Sequence, residues 1–155
     1  MSREIKFRGK DLVTGKWCYG SYMPPFYDGK DPFIYMKKDC GDHWSYINAQ
    51  VIPDTVGQYT GLKDKNGVEI YEGDILRTEG LKNINGRLAQ SIDISEVVWC
   101  EDSCGFSAVE QKAIIAGKEK QQMGIFYMMP DSEDCDVVGN IYDNPELIGG
   151  GEDKP

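Results

Sequence analysis

Histidine is almost absent: the 155-residue chain has one, His43. A serine or cysteine nucleophile needs a base beside it, so any such arrangement has to recruit that single residue. His43 sits between Asp42 and Trp44 in a polar stretch and reads as a surface loop residue. There is no Gly-x-Ser-x-Gly elbow, no G-x4-G-K-[ST] phosphate loop and no G-x-G-x-x-G after a strand. Hydrolases of the elbow type, P-loop enzymes and dinucleotide enzymes are thereby excluded, and no cofactor is expected. No apolar run approaches the roughly 20 residues of a membrane span. The opening MSREIKFRGK is charged and lacks an apolar signal core, so a cytoplasmic location is expected. The five cysteines are odd in number and follow no small disulfide scaffold, so reduced thiols are expected.

Helix signals are equally scarce. Val109 to Ala116 has the composition for two helical turns before Gly117. Asp143-Asn144-Pro145-Glu146-Leu147 reads as a capped single turn with Pro145 at the first helical position. What the chain does have is strand periodicity. Glu4 to Arg8 alternates; Trp17 to Met23, Phe33 to Met36 and Trp44 to Ile52 are aromatic or apolar runs that stop at turns or prolines. Val68 to Tyr71 and Asp74 to Arg77 flank Glu72-Gly73, a turn or bulge signal. Ile92 to Trp99 slips phase around Glu96, as a bulge would cause. Phe106 to Val109, Ile125 to Met129 and Val137 to Tyr142 complete about nine short strands, which predicts a mainly β sandwich or barrel.

Two hairpin signatures echo one another. Lys10-Asp11 precedes Thr14-Gly15 and Tyr19; Lys63-Asp64 precedes Asn66-Gly67 and Tyr71. The simplest reading is one turn grammar used twice, with a duplicated unit as the alternative; Asn66-Gly67 is expected to supply the positive φ values of a type I′ turn. A boundary is expected near Pro53 to Gly57, giving an N-terminal β region over 1–54 and a second domain over 55–148. The polar segment Glu79 to Gln90 reads as a long loop, and 149–155 as a disordered tail.

Charge is unevenly placed. The net value of -9 arises wholly after residue 78: residues 1–78 hold 11 basic and 11 acidic side chains, and residues 79–155 hold 6 and 15. A negative field repels phosphate backbones, which argues against nucleic-acid binding by the C-terminal half. The acidic run Asp131 to Asp136 fails the calcium-loop grammar, because the sixth position is Asp136 rather than glycine and the twelfth is Tyr142 rather than glutamate. It reads as a solvated loop. Cys40 with His43, and Cys100 with Cys104, are the metal candidates. Zinc usually takes four ligands from two close pairs, and the looser C-x3-C spacing favours two structural thiols in a turn. Lys6, Arg8 and Lys10 lie near Phe7, Trp17 and Tyr19, the ingredients of single-strand nucleic-acid binding. Alternation puts Lys6 and Arg8 in solvent and Ile5 and Phe7 inward, so the aromatics are expected in the core, away from the charges.

Three stretches go beyond composition: Arg3 to Lys10 with Thr14-Gly15-Lys16-Trp17 and Tyr19-Gly20; Val51 to Leu76 (VIPDTVGQYTGLKDKNGVEIYEGDIL); and Val138 to Leu147. With Val97-Val98-Trp99 and Gly105-Phe106 they resemble the YopX family, small proteins of bacteriophages and prophages. The resemblance implies a mainly β fold whose C-terminal part is a small SH3-like barrel, and it brings no catalytic residue or cofactor. Within the shared block, Gly57, Gly61, Gly67 and Gly73 are expected at turns or bulges. Asn144-Pro145 is expected to cap the final turn, and Leu147 to close the barrel. The leading expectation is a non-enzymatic accessory protein that binds a host or phage protein inside the bacterial cell. The alternative is nucleic-acid binding through Lys6, Arg8 and Lys10. A third is a metal-assisted enzyme using Cys40, His43, Cys100 and Cys104. An exposed edge strand also makes self-association an expectation.

Overall fold

Alternating apolar and polar residues commit most of the chain to strands. The computed structural model describes residues 4–25, 30–39, 41, 44–115, 118–131 and 134–149, with the backbone alone at Asp39, Trp44, Ile84 and 118–128. The described residues form eleven strands and two 3-10 turns, without an α-helix. The strands are β1 (Phe7–Lys10), β2 (Trp17–Met23), β3 (Phe33–Asp39), β4 (Trp44–Gln50), β5 (Gly57–Lys63), β6 (Glu69–Tyr71), β7 (Asp74–Ile84), β8 (Arg87–Cys100), β9 (Gly105–Ile115), β10 (Lys118–Met128) and β11 (Cys135–Asn140). They make a six-stranded sheet in the order β4-β3-β2-β1-β5-β6 and a five-stranded sheet in the order β10-β9-β8-β7-β11. The fold is mainly β, as expected. Neither sheet closes into a barrel, which corrects the closed barrel expected of the C-terminal part: β10 and β11 lie at opposite edges of an open sheet.

The chain divides into two compact units between Gly61 and Leu62, inside β5. In the first unit Ile34, Ala49 and Val51 form the buried core, with Phe7, Cys18, Met36 and Val56 packed against it. A 3-10 turn at Pro53–Thr55 ties to β1, since Thr55 Oγ1 accepts from the Lys10 amide at 2.9 Å. The turn between β1 and β2 is built on Asp11, whose carboxylate accepts from the Val13 amide at 3.0 Å and the Thr14 amide at 2.6 Å. Gly15, at φ 67°, then reverses the chain.

The second unit has its core at Ile70, Leu76, Val97 and Cys135, with Phe106, Met129 and Val137 against it. Four of its strands are ribbons of 11 to 14 residues, longer than sequence reading suggests. Glu79 to Gln90 is not a loop: it is the paired ends of β7 and β8, joined at Asn85-Gly86. Both turn residues have positive φ, 52° and 82°, the geometry of a type I′ hairpin. The polar composition reflects two solvated faces; even Leu81 and Leu88 are 64% and 70% exposed. Val109 to Ile115 is not helical either. It belongs to β9, where pairing to both neighbours overrides a weak helix preference. The phase slip around Glu96 is not a bulge of β8: the register shift between Ile94 and Ser95 puts the extra residue, Gln111, on β9, and β8 keeps one phase.

The type I′ geometry expected at Asn66-Gly67 is replaced by another. Of the two only Gly67 has positive φ, at 83°. Asp64 sets this turn as Asp11 sets the first: its Oδ1 accepts from the Asn66 amide at 2.8 Å and the Val68 amide at 2.9 Å. The shared grammar of the two hairpins is therefore an aspartate turn closed by a left-handed glycine. Gly61 also has positive φ, at 89°, while Gly57 lies inside β5 opposite Arg8. At the C-terminal end Pro145–Ile148 forms the second 3-10 turn, and Asn144 makes no side-chain cap. Asn140 instead shapes the turn that precedes it, its Oδ1 accepting from the amides of Tyr142 at 3.0 Å and Asp143 at 2.9 Å. Leu147 is only half-buried and closes no barrel.

Gly73 is more closely packed than Gly67, around which a Cβ would meet nothing within 4 Å. It has φ 79°, and its amide donates to Val97 O at 2.8 Å. A Cβ there would meet the Tyr142 ring at 3.2 Å. Gly73→Ala is expected to cost about 1–2 kcal/mol from backbone conformation alone, lowering the thermal midpoint by several degrees. An unchanged midpoint in a thermal melt would show that the turn relaxes freely.

Candidate functional site

The metal candidates do not assemble among the described residues. Cys40 and His43 lie outside them. Cys100 and Cys104 flank the tight turn between β8 and β9, where Cys104 has φ 49° and its thiol donates to Glu101 O at 3.3 Å. Hydrogen bonds from Ser103 hold the Cys100 thiol below its ordinary pKa. Among the described residues, no group of three or more histidine, cysteine or carboxylate side chains is placed to hold a metal ion.

The N-terminal basic residues have a different setting from the one alternation suggests. Phe7 does enter the core and meets Tyr22 at a ring separation of 5.4 Å. Ile5, however, is 71% exposed, and Arg8 is 5% exposed. The reason is cross-strand pairing. Residues directly opposite in an antiparallel pair share a face, and Arg8 opposes Tyr19 while Lys10 opposes Trp17. The Arg8 guanidinium covers the Trp17 ring at 4.6 Å and Lys10 Nζ lies 5.4 Å from it. The same face continues across the sheet, where Tyr35 opposes Ser21 and Asn48, and Lys37 opposes Tyr46. Aromatic and basic side chains thus share the face of the first-unit sheet that points away from Ile34 and Val51. Tyr19 and Tyr46 are 44% and 71% exposed there.

A second site lies in the second unit. A pocket of about 280 Å³ opens over one face of β7, β8 and β9, floored by Leu76 and Ala108 and rimmed by Pro130, Asp131 and Asp134. Lys82 reaches into it from β7, with its ammonium 2.9 Å from the Asp93 carboxylate and 3.0 Å from Glu110 Oε2. Ser91 Oγ donates to Asp93 at 2.7 Å. Glu110 is fully buried, and its Oε1 has no hydrogen-bond partner among the described residues. Burial of the Lys82 ammonium pulls its pKa down, but the hydrogen bonds to Asp93 and Glu110 outweigh that and leave it raised.

The bulge creates this arrangement. Asp93 opposes Ala113 and Ser95 opposes Glu110, so Gln111 is the extra residue and the phase of β9 shifts by one. Ala113, Glu110 and Ala108 consequently face the same side, which strict alternation forbids. The segment with loop composition, Glu79 to Gln90, supplies Lys82, and the one with helix composition, Val109 to Ala116, supplies Glu110. A sequence signal existed for the first, the Asn85-Gly86 hairpin turn. The acidic run divides: Asp131 and Asp134 line the pocket, whereas Asp136 lies 2.6 Å from Lys65 Nζ and accepts from Asn66 Nδ2 at 2.9 Å.

Comparison with known proteins bears on the fold. A solved structure, described as the crystal structure of protein EF1440 from Enterococcus faecalis, is similar at 24% identity with a TM-score of 0.50. The match covers 95% of this chain and 99% of that one. A comparison with curated proteins gives no match. Among the described residues, no helix is long and apolar enough to cross a membrane. The family model described as YopX protein matches residues 6–149, and the chain belongs to the YopX family.

Proposed function

We propose that this protein is a non-enzymatic binding module, a phage or prophage accessory protein acting inside the bacterial cell, and that its first-unit sheet binds single-stranded nucleic acid. The observation that carries the reading is the shared face on which Tyr46 opposes Lys37, and Trp17, two residues from Tyr19, opposes Lys10. Bases stack on exposed aromatic rings at about 1–3 kcal/mol each, whatever the sequence, while cations between the rings follow the phosphates. The first unit also escapes the acidity of the chain: residues 1–61 hold eight basic and seven acidic side chains.

Fluorescence anisotropy with labelled single-stranded oligonucleotides at low salt tests this. Tyr19→Ala with Tyr46→Ala is expected to weaken binding at least tenfold, and Lys37→Ala to reduce the salt dependence. Equal affinity for duplex, or no loss in the tyrosine variant, would reject it.

A second reading is a basic protein partner held by the second unit. Residues 62–155 carry nine basic and nineteen acidic side chains, a net of -10, and such a field steers cationic partners. Crosslinking in host lysate at low and moderate salt separates the two readings. Partners lost on neutralising the second unit's acidic surface support the protein reading, and partners lost with Tyr19 and Tyr46 support the nucleic-acid reading.

A further inference from the structure

We propose that the pocket over β7, β8 and β9 is a recognition site for one organic cation, a primary ammonium or guanidinium group carried on an aliphatic chain. This goes beyond nucleic-acid binding by the first unit and stands on different residues.

The charge balance inside the pocket is the first argument. Among the described residues that line it, one cation, Lys82, faces four carboxylates: Asp93, Glu110, Asp131 and Asp134. Lys82 engages only two of them. Glu110 is fully buried, yet only Oε2 is used, and Oε1 lacks a donor among the described residues. A buried acceptor left unsatisfied costs about 1–3 kcal/mol, and more when charged. An oxygen held in that condition is an acceptor awaiting an N–H donor.

Shape and chemistry narrow the class. At about 280 Å³ the pocket falls just below the usual range for drug-sized ligands, roughly 300–1,000 Å³. It suits one extended side chain or a short polyamine. Leu76 and Ala108 provide an apolar floor for methylene groups, while the carboxylates gather at Glu110 inside and at Asp131 and Asp134 on the rim. Lysine and arginine side chains have this division, an apolar stem and a charged head. A bare metal ion is a poorer fit, because no group of three or more ligating side chains converges among the described residues.

The test is NMR titration of the full chain with agmatine, with an acetylated arginine- and lysine-containing peptide, and with magnesium chloride. Saturable shifts at Lys82, Asp93 and Glu110 are expected with the organic cations. Agmatine binding at least as tightly as the peptide identifies a free amine as the source, and tighter peptide binding identifies a side chain of a protein partner. Glu110→Gln is expected to weaken binding at least tenfold. Asp131→Asn with Asp134→Asn, both at the exposed rim, is expected to weaken it several-fold without disturbing the fold, and it keeps the test decisive if Glu110→Gln fails to fold. No saturable shift with either organic cation, unchanged affinity in the rim variant, or saturation by magnesium alone would overturn the proposal.

Discussion

Asp64→Ala is expected to destabilise the second unit by about 3 kcal/mol, seen as a fall of about 1–2 M in the urea midpoint. The side chain is 5% exposed and holds three backbone amides. Oδ1 accepts from Asn66 at 2.8 Å and Val68 at 2.9 Å, and Oδ2 accepts from Val137 at 3.0 Å. The first two bonds shape the turn before β6, and the third pins that turn to β11. Alanine leaves all three donors without their acceptor, in a place where water reaches poorly. Asp64→Asn keeps an acceptor for the turn but turns an N–H towards the Val137 amide, so its loss should lie between alanine and the natural residue. A change below about 0.5 kcal/mol for Asp64→Ala, the range of an ordinary surface substitution, would show that the turn holds itself.

The same carboxylate gives this stability a pH dependence of definite sign. Burial raises the Asp64 pKa, but hydrogen bonds from the amides of Val137, Val68 and Asn66 outweigh it, and the net shift is downward. The Lys65 hydrogen bond holds Asp136 down as well. A carboxyl depressed in the folded state contributes fully above its unfolded pKa, about 3.9, and the contribution disappears as pH falls through the folded value. Urea midpoints measured from pH 6 down to pH 2 should therefore fall below about pH 4, with a shallower fall in Asp64→Ala. Parallel profiles would remove Asp64 as a source of acid sensitivity.

Both hairpin aspartates were visible in the sequence as a repeated pattern, and the strands around them were legible because one face of each is buried. Where both faces meet solvent, alternation stops reporting. That is why the ends of β7 and β8 read as a loop although Asn85-Gly86 marked the turn between them. Glu110 was hidden for another reason. Its segment has the composition of a helix, and its orientation depends on a bulge whose position is fixed by pairing to β8, not by any residue in β9 itself. The aromatic face is half legible: Arg8, Lys10, Trp17 and Tyr19 lie close together in the sequence, but their sharing one side of a sheet depends on the register of β1 against β2. Candidate sites built from cross-strand neighbours come from residues tens of positions apart, and no local spacing records them.

Lys82→Met should cost about 3 kcal/mol for a related reason. The ammonium sits between Asp93 and Glu110, at 2.9 and 3.0 Å, and Glu110 has no exposure to water through which to recover its charge stabilisation. Removing one partner of a buried pair leaves the other uncompensated, which is far costlier than exchanging both for neutral groups. Glu110→Gln added to Lys82→Met should accordingly restore part of the loss, with a coupling of about 1–3 kcal/mol in a double-mutant cycle by urea denaturation. Asp93→Asn should couple more weakly, because Asp93 keeps the Ser91 hydroxyl at 2.7 Å and is partly solvated. Additivity within about 0.5 kcal/mol for Lys82 and Glu110 would mean that the ion pair is not what holds the pocket. If coupling is found, Lys82 is an internal counter-ion covering half of a site in which Glu110 Oε1 has no donor among the described residues. Agmatine should then raise the thermal midpoint of Lys82→Met more than that of the natural chain, because it replaces the missing ammonium as well as filling the vacant acceptor.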